Sequence, residues 1–414
     1  MENIPVFVFQ IFVFLSVYVQ VFLFVTFLEN RGGLTVRRGG TVLSKYPFVT
    51  VIVPAYNEER TIYKTVRSLL GINYPKEKLK IFLVDDGSTD GTWRALCRFS
   101  HYSNIKLFRK ENGGKHTALN LGLEHTETEF FGCLDADSIA HPESLVRIMS
   151  YFEEDASLMA VAPSVTIYNP KNFIQNIQTV EYYMGVYMKK MFGFMGAINV
   201  TPGPLTIFRK KVFDDLGPYR HAHNTEDMEI AYRMQKNYYK IGHCHDAYVY
   251  TSSPSTLEKL FRQRLRWIYG FINNTIDYRD VIFKKRYGNF AFFTLPTGII
   301  SVIAVGFLFG KIIYNVGAFL HSKFIYFQTA GLNLSAMTGA FDPYFFSAKT
   351  PFFLMAIIYF IVLFSILFGR KISEDRWKFS PEMLYYFPIF ALIAPFWILK
   401  AVWNTIFSVV PVWK

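Results

Sequence analysis

Two aspartates one residue apart, Asp135 and Asp137, follow the apolar run of residues 130–134. On extended backbone, carboxylates at this spacing project from one face. Two hard oxygen ligands facing a diphosphate suit Mg²⁺ or Mn²⁺. A plain surface turn is the competing reading, because the spacing is common. Farther along, Thr225, Glu226 and Asp227 precede Met228, Ala231 and Tyr232 at helical spacing, so both acids fall in a first turn. Acids there also stabilise a helix through its dipole, by ~0.3–1 kcal/mol. A proton-accepting role for Asp227 needs a hydroxyl within hydrogen-bond reach. Last come Gln263, Arg264, Leu265, Arg266 and Trp267. Arg266 can grip a phosphate bidentately, and Trp267 offers an aromatic face to a sugar ring.

A second group suits a nucleotide. Pro54, Ala55, Tyr56, Asn57 and Glu58 leave one apolar run, and Asp85 and Asp86 leave the next. An aspartate there can accept from a base N–H or a ribose hydroxyl, while Tyr56 offers a stacking surface. A turn followed by a helix cap explains Asp86, Gly87, Ser88 and Thr89 equally well. Gly113, Gly114 and Lys115 open a further helix, where backbone N–H groups and a lysine suit a phosphate. The flanking spacing of a P-loop is missing.

The elements that must position these residues alternate. Apolar runs at 48–54, 80–84, 105–109, 130–134 and 158–162 read as strands, and 58–70, 89–99, 115–124 and 224–235 as helices. Asn57 is placed to cap the first helix and Gly71 to stop it; Asn224 or Thr225 is placed to cap the last. Such alternation predicts an α/β fold with a mostly parallel sheet. Ligands of such sheets bind beyond the carboxyl ends of the strands. Cys97, Cys133 and Cys244 have no pair spacing and read as reduced thiols.

The chain has 414 residues and is 51% hydrophobic. Apolar blocks at 5–28, 290–320, 351–368 and 384–412 are long enough to cross a bilayer, so four spans are expected. Pro388, Pro395 and Pro411 divide the last block and allow a fifth. Glu2 and the lack of a small-residue cleavage site favour a retained anchor over a signal peptide. Arg31, Arg37, Arg38 and Lys45 follow the first span, and Arg370, Lys371, Arg376 and Lys378 the third, whereas the 322–350 loop carries few basic residues. The positive-inside rule then places the polar region in the cytoplasm and the amino terminus outside a multi-pass plasma-membrane protein. The net charge of +12 fits lipid headgroups and ligand phosphates better than nucleic acid, for which no signature is present. Segment 255–276 reads as an amphipathic interfacial helix, with 172–197, carrying Lys189 and Lys190, as a second. The expected division is an anchor (1–30), a catalytic domain (45–250), an interfacial segment (251–289) and a terminal membrane region (290–414).

In this order, the Asp85/Asp86, Asp135/Asp137, Thr225/Glu226/Asp227 and Gln263/Arg266/Trp267 groups resemble the processive inverting glycosyltransferases of family two: hyaluronan, chitin, cellulose and poly-N-acetylglucosamine synthases. The resemblance covers roughly residues 48–276 and implies the GT-A nucleotide-sugar-binding fold. It also implies roles. Asp85 and Asp86 would bind uridine beside Pro54, Tyr56, Asn57 and Glu58. Lys115 would bind phosphates, and Asp135 and Asp137 the sugar diphosphate and its metal. Asp227, next to Glu226, would be the general base. Gln263, Arg264, Arg266 and Trp267 would hold donor diphosphate and acceptor sugar, with Gly203 of the Pro202-Gly203-Pro204-Leu205 loop close to the acceptor. The implied donor is a UDP-sugar, most simply UDP-N-acetylglucosamine. A growing β-linked polysaccharide is the implied acceptor, extruded through the terminal spans. Addition of a single sugar to a lipid-linked acceptor is the alternative. A non-catalytic membrane scaffold would leave the acids unexplained, and the need for an accessory subunit stays open.

Overall fold

The computed structural model describes residues 3–34, 41–330, 350–374 and 376–411. Arg37, Arg38 and residues 331–349 of the loop invoked for orientation lie outside the described residues. In chain order the elements are α1 (Asn3–Asn30), β1 (Val49–Ala55), α2 (Ile62–Leu70), β2 (Leu79–Asp86), α3 (Thr92–Cys97), β3 (Ile105–Lys110), α4 (Lys115–Glu124), β4 (Phe130–Cys133) and β5 (Ser138–Ala140). Then follow α5 (Ser144–Glu154), β6 (Leu158–Ile167), α6 (Phe173–Phe194), β7 (Ile207–Arg209), α7 (Lys211–Leu216), α8 (Glu226–Lys236), β8 (Lys240–Thr251) and α9 (Leu257–Asp277). Three long helices close the described chain: α10 (Leu295–Ala330), α11 (Thr350–Glu374) and α12 (Glu382–Ile406).

The strands form one sheet in the order β3-β2-β1-β4-β7-β6-β8-β5. Strands β3, β2, β1 and β4 run parallel, as do β6 and β8. Between these blocks lies β7, antiparallel to both neighbours, and β5 is antiparallel to β8. Helices cover both faces, so the central strands read as unbroken apolar runs; every residue of β1 is buried. Its side chains alternate between two cores. Val51 and Val53 pack with Ile62, Leu69 and Ile148 of α2 and α5. Ile52 packs with Leu119, Ile230 and Ala231 of α4 and α8.

Several boundaries differ from expectation. The first helix begins at Ile62, and Asn57 does not cap it: Asn57 is left-handed (φ 54°) and its side-chain oxygen accepts from the Thr89 N–H. Gly71 does stop that helix, its N–H bonding the Arg67 carbonyl. Thr225 makes no side-chain cap for α8; its hydroxyl donates back to the Ala222 carbonyl. Among the described residues four helices are long and apolar enough to cross a membrane, over residues 7–30, 290–329, 356–374 and 382–406. Pro388 and Pro395 sit inside α12 without dividing it. The two interfacial segments are helices, α6 and α9; protein packs against part of each apolar face, while Phe173, Leu257 and Ile276 stay exposed. Ile177, Val180 and Tyr183 of α6 pack on Val362, Ile366, Met383 and Tyr386. Leu265 and Tyr269 of α9 pack on Trp397, Ile398 and Ala401.

Candidate active site

Parallel pairing sets Ala55 opposite Asp85 and Asp86 opposite Lys110, so the ends of β1, β2 and β3 open on one rim. Two turns are stitched together there. The Asn57 N–H donates to Ser88 Oγ (3.0 Å), and the Glu58 N–H to Thr92 Oγ1 (2.8 Å). Pro54 is buried at the strand end, with Tyr56 half-buried beyond it. A cleft of about 570 Å³, lined by Gly87, Ser88, Arg109, Lys110, Glu111 and Asn112, opens beside these turns. Both aspartates at its edge are already engaged. Asp85 pairs with Arg109 (3.0 Å) and accepts from the Ser88 N–H. Asp86 pairs with Lys110 (2.8 Å) and accepts from the N–H groups of Gly113 and Gly114. Those two N–H groups, expected to face a phosphate, therefore face a buried carboxylate that requires donors. Of that loop, Lys115 is left to reach the centre.

Lys115 joins two distant motifs. Its ammonium lies 2.7 Å from Asp135 and 2.9 Å from Glu226. Burial opposes its charge, but those two carboxylates hold its pKa well above the usual lysine value. Gly203 stands directly against this pair. A Cβ there would come within 2.6 and 2.7 Å of the Asp135 oxygens and 2.7 Å of the Lys115 nitrogen, so any side chain would displace them. Asp135 and Asp137 meet through a turn, not through extended backbone: the Ser138 N–H bonds the Asp135 carbonyl. Asp137 accepts from Ser252 (2.6 Å) and Ser138 (3.2 Å). Burial and the charge of Asp135 push its carboxyl up to about 6.

Glu226 and Asp227, adjacent in the first turn of α8, titrate apart. Burial works against the charge of Glu226, yet Lys115 and then Arg266 hold it below the usual glutamate value. Asp227 is raised to about 6 by burial and by the charge of Glu226, against Lys115 and Arg266. Neighbouring acids with separated pKa values are the arrangement from which a base and an electrostatic partner are made. Among the described residues no hydrogen bond reaches the Asp227 carboxylate. Its backbone is fixed, because the Thr201 hydroxyl donates to its carbonyl at 2.8 Å.

Helix α9 presses its motif onto this centre. Arg266 donates to the Asn224 carbonyl (2.6 Å), just before the acids, and feels Glu226, Asp227 and Asp135. One turn on, Gly270 lies so close to Thr225 that a Cβ would sit 2.3 Å from its hydroxyl oxygen. Asn274 donates to that same hydroxyl (2.9 Å). The rest of the motif turns toward α6. Arg264, 4% exposed, donates to Gln263 Oε1 and to the Glu181 carboxylate, and its guanidinium lies 4.1 Å from the Trp267 ring centre. Sequence reasoning did not single out Glu181, Tyr182, Ser252, Gly270 or Asn274. Only helical periodicity in 172–197 carried a signal, by placing Tyr182 and Lys189 on one stripe. Lys190 of that segment is buried beside the Tyr151 and Phe194 rings, not at a lipid surface.

Among the described residues no three His, Cys, Asp or Glu side chains gather into a metal cage. Asp135 and Asp137 form a pair whose mutual repulsion a divalent cation would relieve. Hard cations take oxygen ligands and, beside phosphates, often use one or two carboxylates and complete their shell from ligand and water. The pair therefore fits Mg²⁺ or Mn²⁺.

A family model described as Glycosyl transferase family 2 matches residues 50–217. A poly-beta-1,6-N-acetyl-D-glucosamine synthase of Staphylococcus epidermidis is 27% identical over 318 residues, 76% of this chain and 74% of that protein. A synthase of the same description from Staphylococcus aureus (strain COL) is 31% identical over 224 residues, 54% of each. The chain thus spans about half the length of this second relative. A solved mannosyltransferase from Pyrobaculum calidifontis, in complex with GDP-Man and Mn²⁺, superposes with a TM-score of 0.52 at 17% identity, covering 96% of this chain and 99% of that one. At that identity the likeness shows the fold alone.

Proposed function

We propose a mechanism from the premise that this chain belongs to glycosyl transferase family 2. It is a glycosyltransferase and a membrane protein, with an α/β GT-A domain between long apolar helices. Our reading is that it polymerises N-acetylglucosamine from UDP-N-acetylglucosamine into a β-linked polysaccharide. Similarity to poly-beta-1,6-N-acetyl-D-glucosamine synthases supports that donor and product. One observation carries the reading: Lys115 bridges Asp135 and Glu226 beside Asp227, whose carboxyl is raised to about 6.

The step is a single displacement. Asp227 accepts the proton of the acceptor's terminal hydroxyl, whose oxygen attacks the anomeric carbon as the bond to the diphosphate breaks, inverting configuration. Lys115 and Arg266 hold the charge that develops on the departing UDP. Asp135 and Asp137 would hold Mg²⁺ or Mn²⁺, whose chemistry when bound is neutralisation of diphosphate charge. Asp85, Asp86 and the 570 Å³ cleft beside them would take the uridine. Arg31, Lys45, Arg370, Lys371, Arg376 and Lys378 support a cytoplasmic catalytic domain and an outside amino terminus in a multi-pass plasma-membrane protein.

Mass spectrometry of the product tests the reading, with each UDP-sugar supplied singly and with Mg²⁺ and Mn²⁺ in separate reactions. A ladder of β-linked N-acetylglucosamine is expected. A single sugar on a lipid carrier would replace polymerisation with single addition.

A further inference from the structure

Among the described residues, Lys189 is a cation near the centre for which no partner is found. Lys115, Arg264 and Arg266 each meet a carboxylate or a carbonyl, and Lys190 lies over two aromatic rings. Lys189 of α6 makes no hydrogen bond, ion pair or ring contact among the described residues. Burial pulls its ammonium down to about 8, and the opposing charge it feels is that of Asp227. Its side chain is half-buried, so its three donors stay open to oxygens that water or a ligand supplies.

The helix around it is suited to such a ligand. Tyr182, Gly185 and Lys189 fall on one face of α6 by helical periodicity. Tyr182 feels Asp135 and Asp137, and Arg266 in turn feels Tyr182, so this end of the stripe adjoins the donor side. Lys189 marks the end nearer the base. Between them Gly185 is exposed, and nothing lies within 4 Å of the place a Cβ would take. An aromatic ring, an open floor and an ammonium thus run in line over roughly 10 Å of helix, room for more than one sugar ring. Opposite stands α9, tied to α6 by the Arg264–Glu181 ion pair.

We propose that Tyr182, Gly185 and Lys189 form one wall of the acceptor-saccharide site. Lys189 is its positioning residue, donating to hydroxyl or acetamide oxygens of the terminal sugar so that the attacking hydroxyl faces Asp227. The inference rests on the polymerase reading and adds to it the surface that orients the acceptor.

The test uses the full chain in detergent or nanodiscs, with UDP-N-acetylglucosamine and short N-acetylglucosamine oligomers as acceptors. Lys189→Met is expected to raise the acceptor KM about tenfold or more, the worth of one hydrogen bond to a charged group, with UDP affinity within about threefold of wild type. Lys189→Arg should recover part of the loss. A Cβ at Gly185 meets nothing within 4 Å, so shortened product from a Gly185→Leu protein of unchanged thermal stability would mark a blocked acceptor path. Wild-type acceptor KM and product length in both Lys189→Met and Gly185→Leu would overturn the proposal. So would loss of UDP binding in Lys189→Met and Lys189→Arg alike, because the lysine would then be supporting the fold. If the wild-type chain makes no polymer from any UDP-sugar, the polymerase reading fails instead. A polymerising wild type with indifferent variants rejects this wall alone.

Discussion

In the proposed mechanism Asp227 is the base, and its environment then sets a pH dependence. As a base it must be ionised, and its carboxyl is raised to about 6 by burial and then by Glu226. The rate should therefore be full above that value and fall as pH drops through about 6. Glu226→Gln removes the repelling charge and so favours ionised Asp227. Its acid limb should move to lower pH, even though Lys115 loses a partner and the plateau falls. A limb that stays in place would mean that another group is titrating. Asp227→Asn should cut transfer roughly 10³-fold, the usual range for loss of a general base, while isothermal titration finds UDP affinity little changed. Trp267→Ala belongs at this scale too. The ring is backed by Arg264 at 4.1 Å, so its loss loosens the Arg264–Glu181 tie and, in the proposed role, removes the surface offered to the sugar. Product chains should shorten more than UDP release slows, and chain length equal to wild type would reject a gripping role.

At the scale of elements, what matters is how α9 seats against the start of α8. Gly270 permits contact with Thr225 that no other residue allows, and Asn274 bonds the same hydroxyl. Gly270→Ala should push the helices apart at the turn carrying Glu226 and Asp227. The cost expected is about 1–3 kcal/mol, typical of overpacking, seen as a lowered Tm together with a large loss of UDP release. An unchanged rate in Gly270→Ala would show that the seating is not needed for chemistry. That contact joins residues far apart in the chain, and this separates what was legible in the sequence from what was not. Helix α4 was read to its ends because Gly113, Gly114 and Lys115 mark its start. Strands β5 and β7, three residues each, carry no alternation to read. The Lys115–Glu226 pair and the Arg266–Asn224 bond depend on tertiary placement, for which a single sequence holds no signal. Asn57 and Thr225 looked like caps because their side chains can serve as such. Both instead bond the neighbouring turn or the preceding loop.

For the whole molecule, the catalytic domain and the membrane helices are one packed object. Apolar periodicity in 255–276, and the Tyr, Met and Phe content of 172–197, pointed to a surface needing cover. Neither signal could tell lipid from protein, because both present hydrocarbon. The structure assigns α11 and α12 to that role: Ile177, Val180 and Tyr183 meet Val362, Ile366, Met383 and Tyr386, and Leu265 and Tyr269 meet Trp397, Ile398 and Ala401. The helices carrying Arg264, Arg266, Trp267 and Glu181 are thus held from behind by segments that come last in the chain. A protein ending at residue 289 would keep every site residue named here, yet expose both apolar faces. Large exposed apolar patches drive association. Residues 41–289 expressed alone should therefore aggregate or require detergent. Any soluble fraction should retain UDP binding, since the β1–β3 rim lies apart from these contacts, but should show little transfer, because α9 has lost its backing. Size-exclusion chromatography and UDP-release assays decide the matter. A monodisperse, fully active fragment would show that α11 and α12 do not support the site.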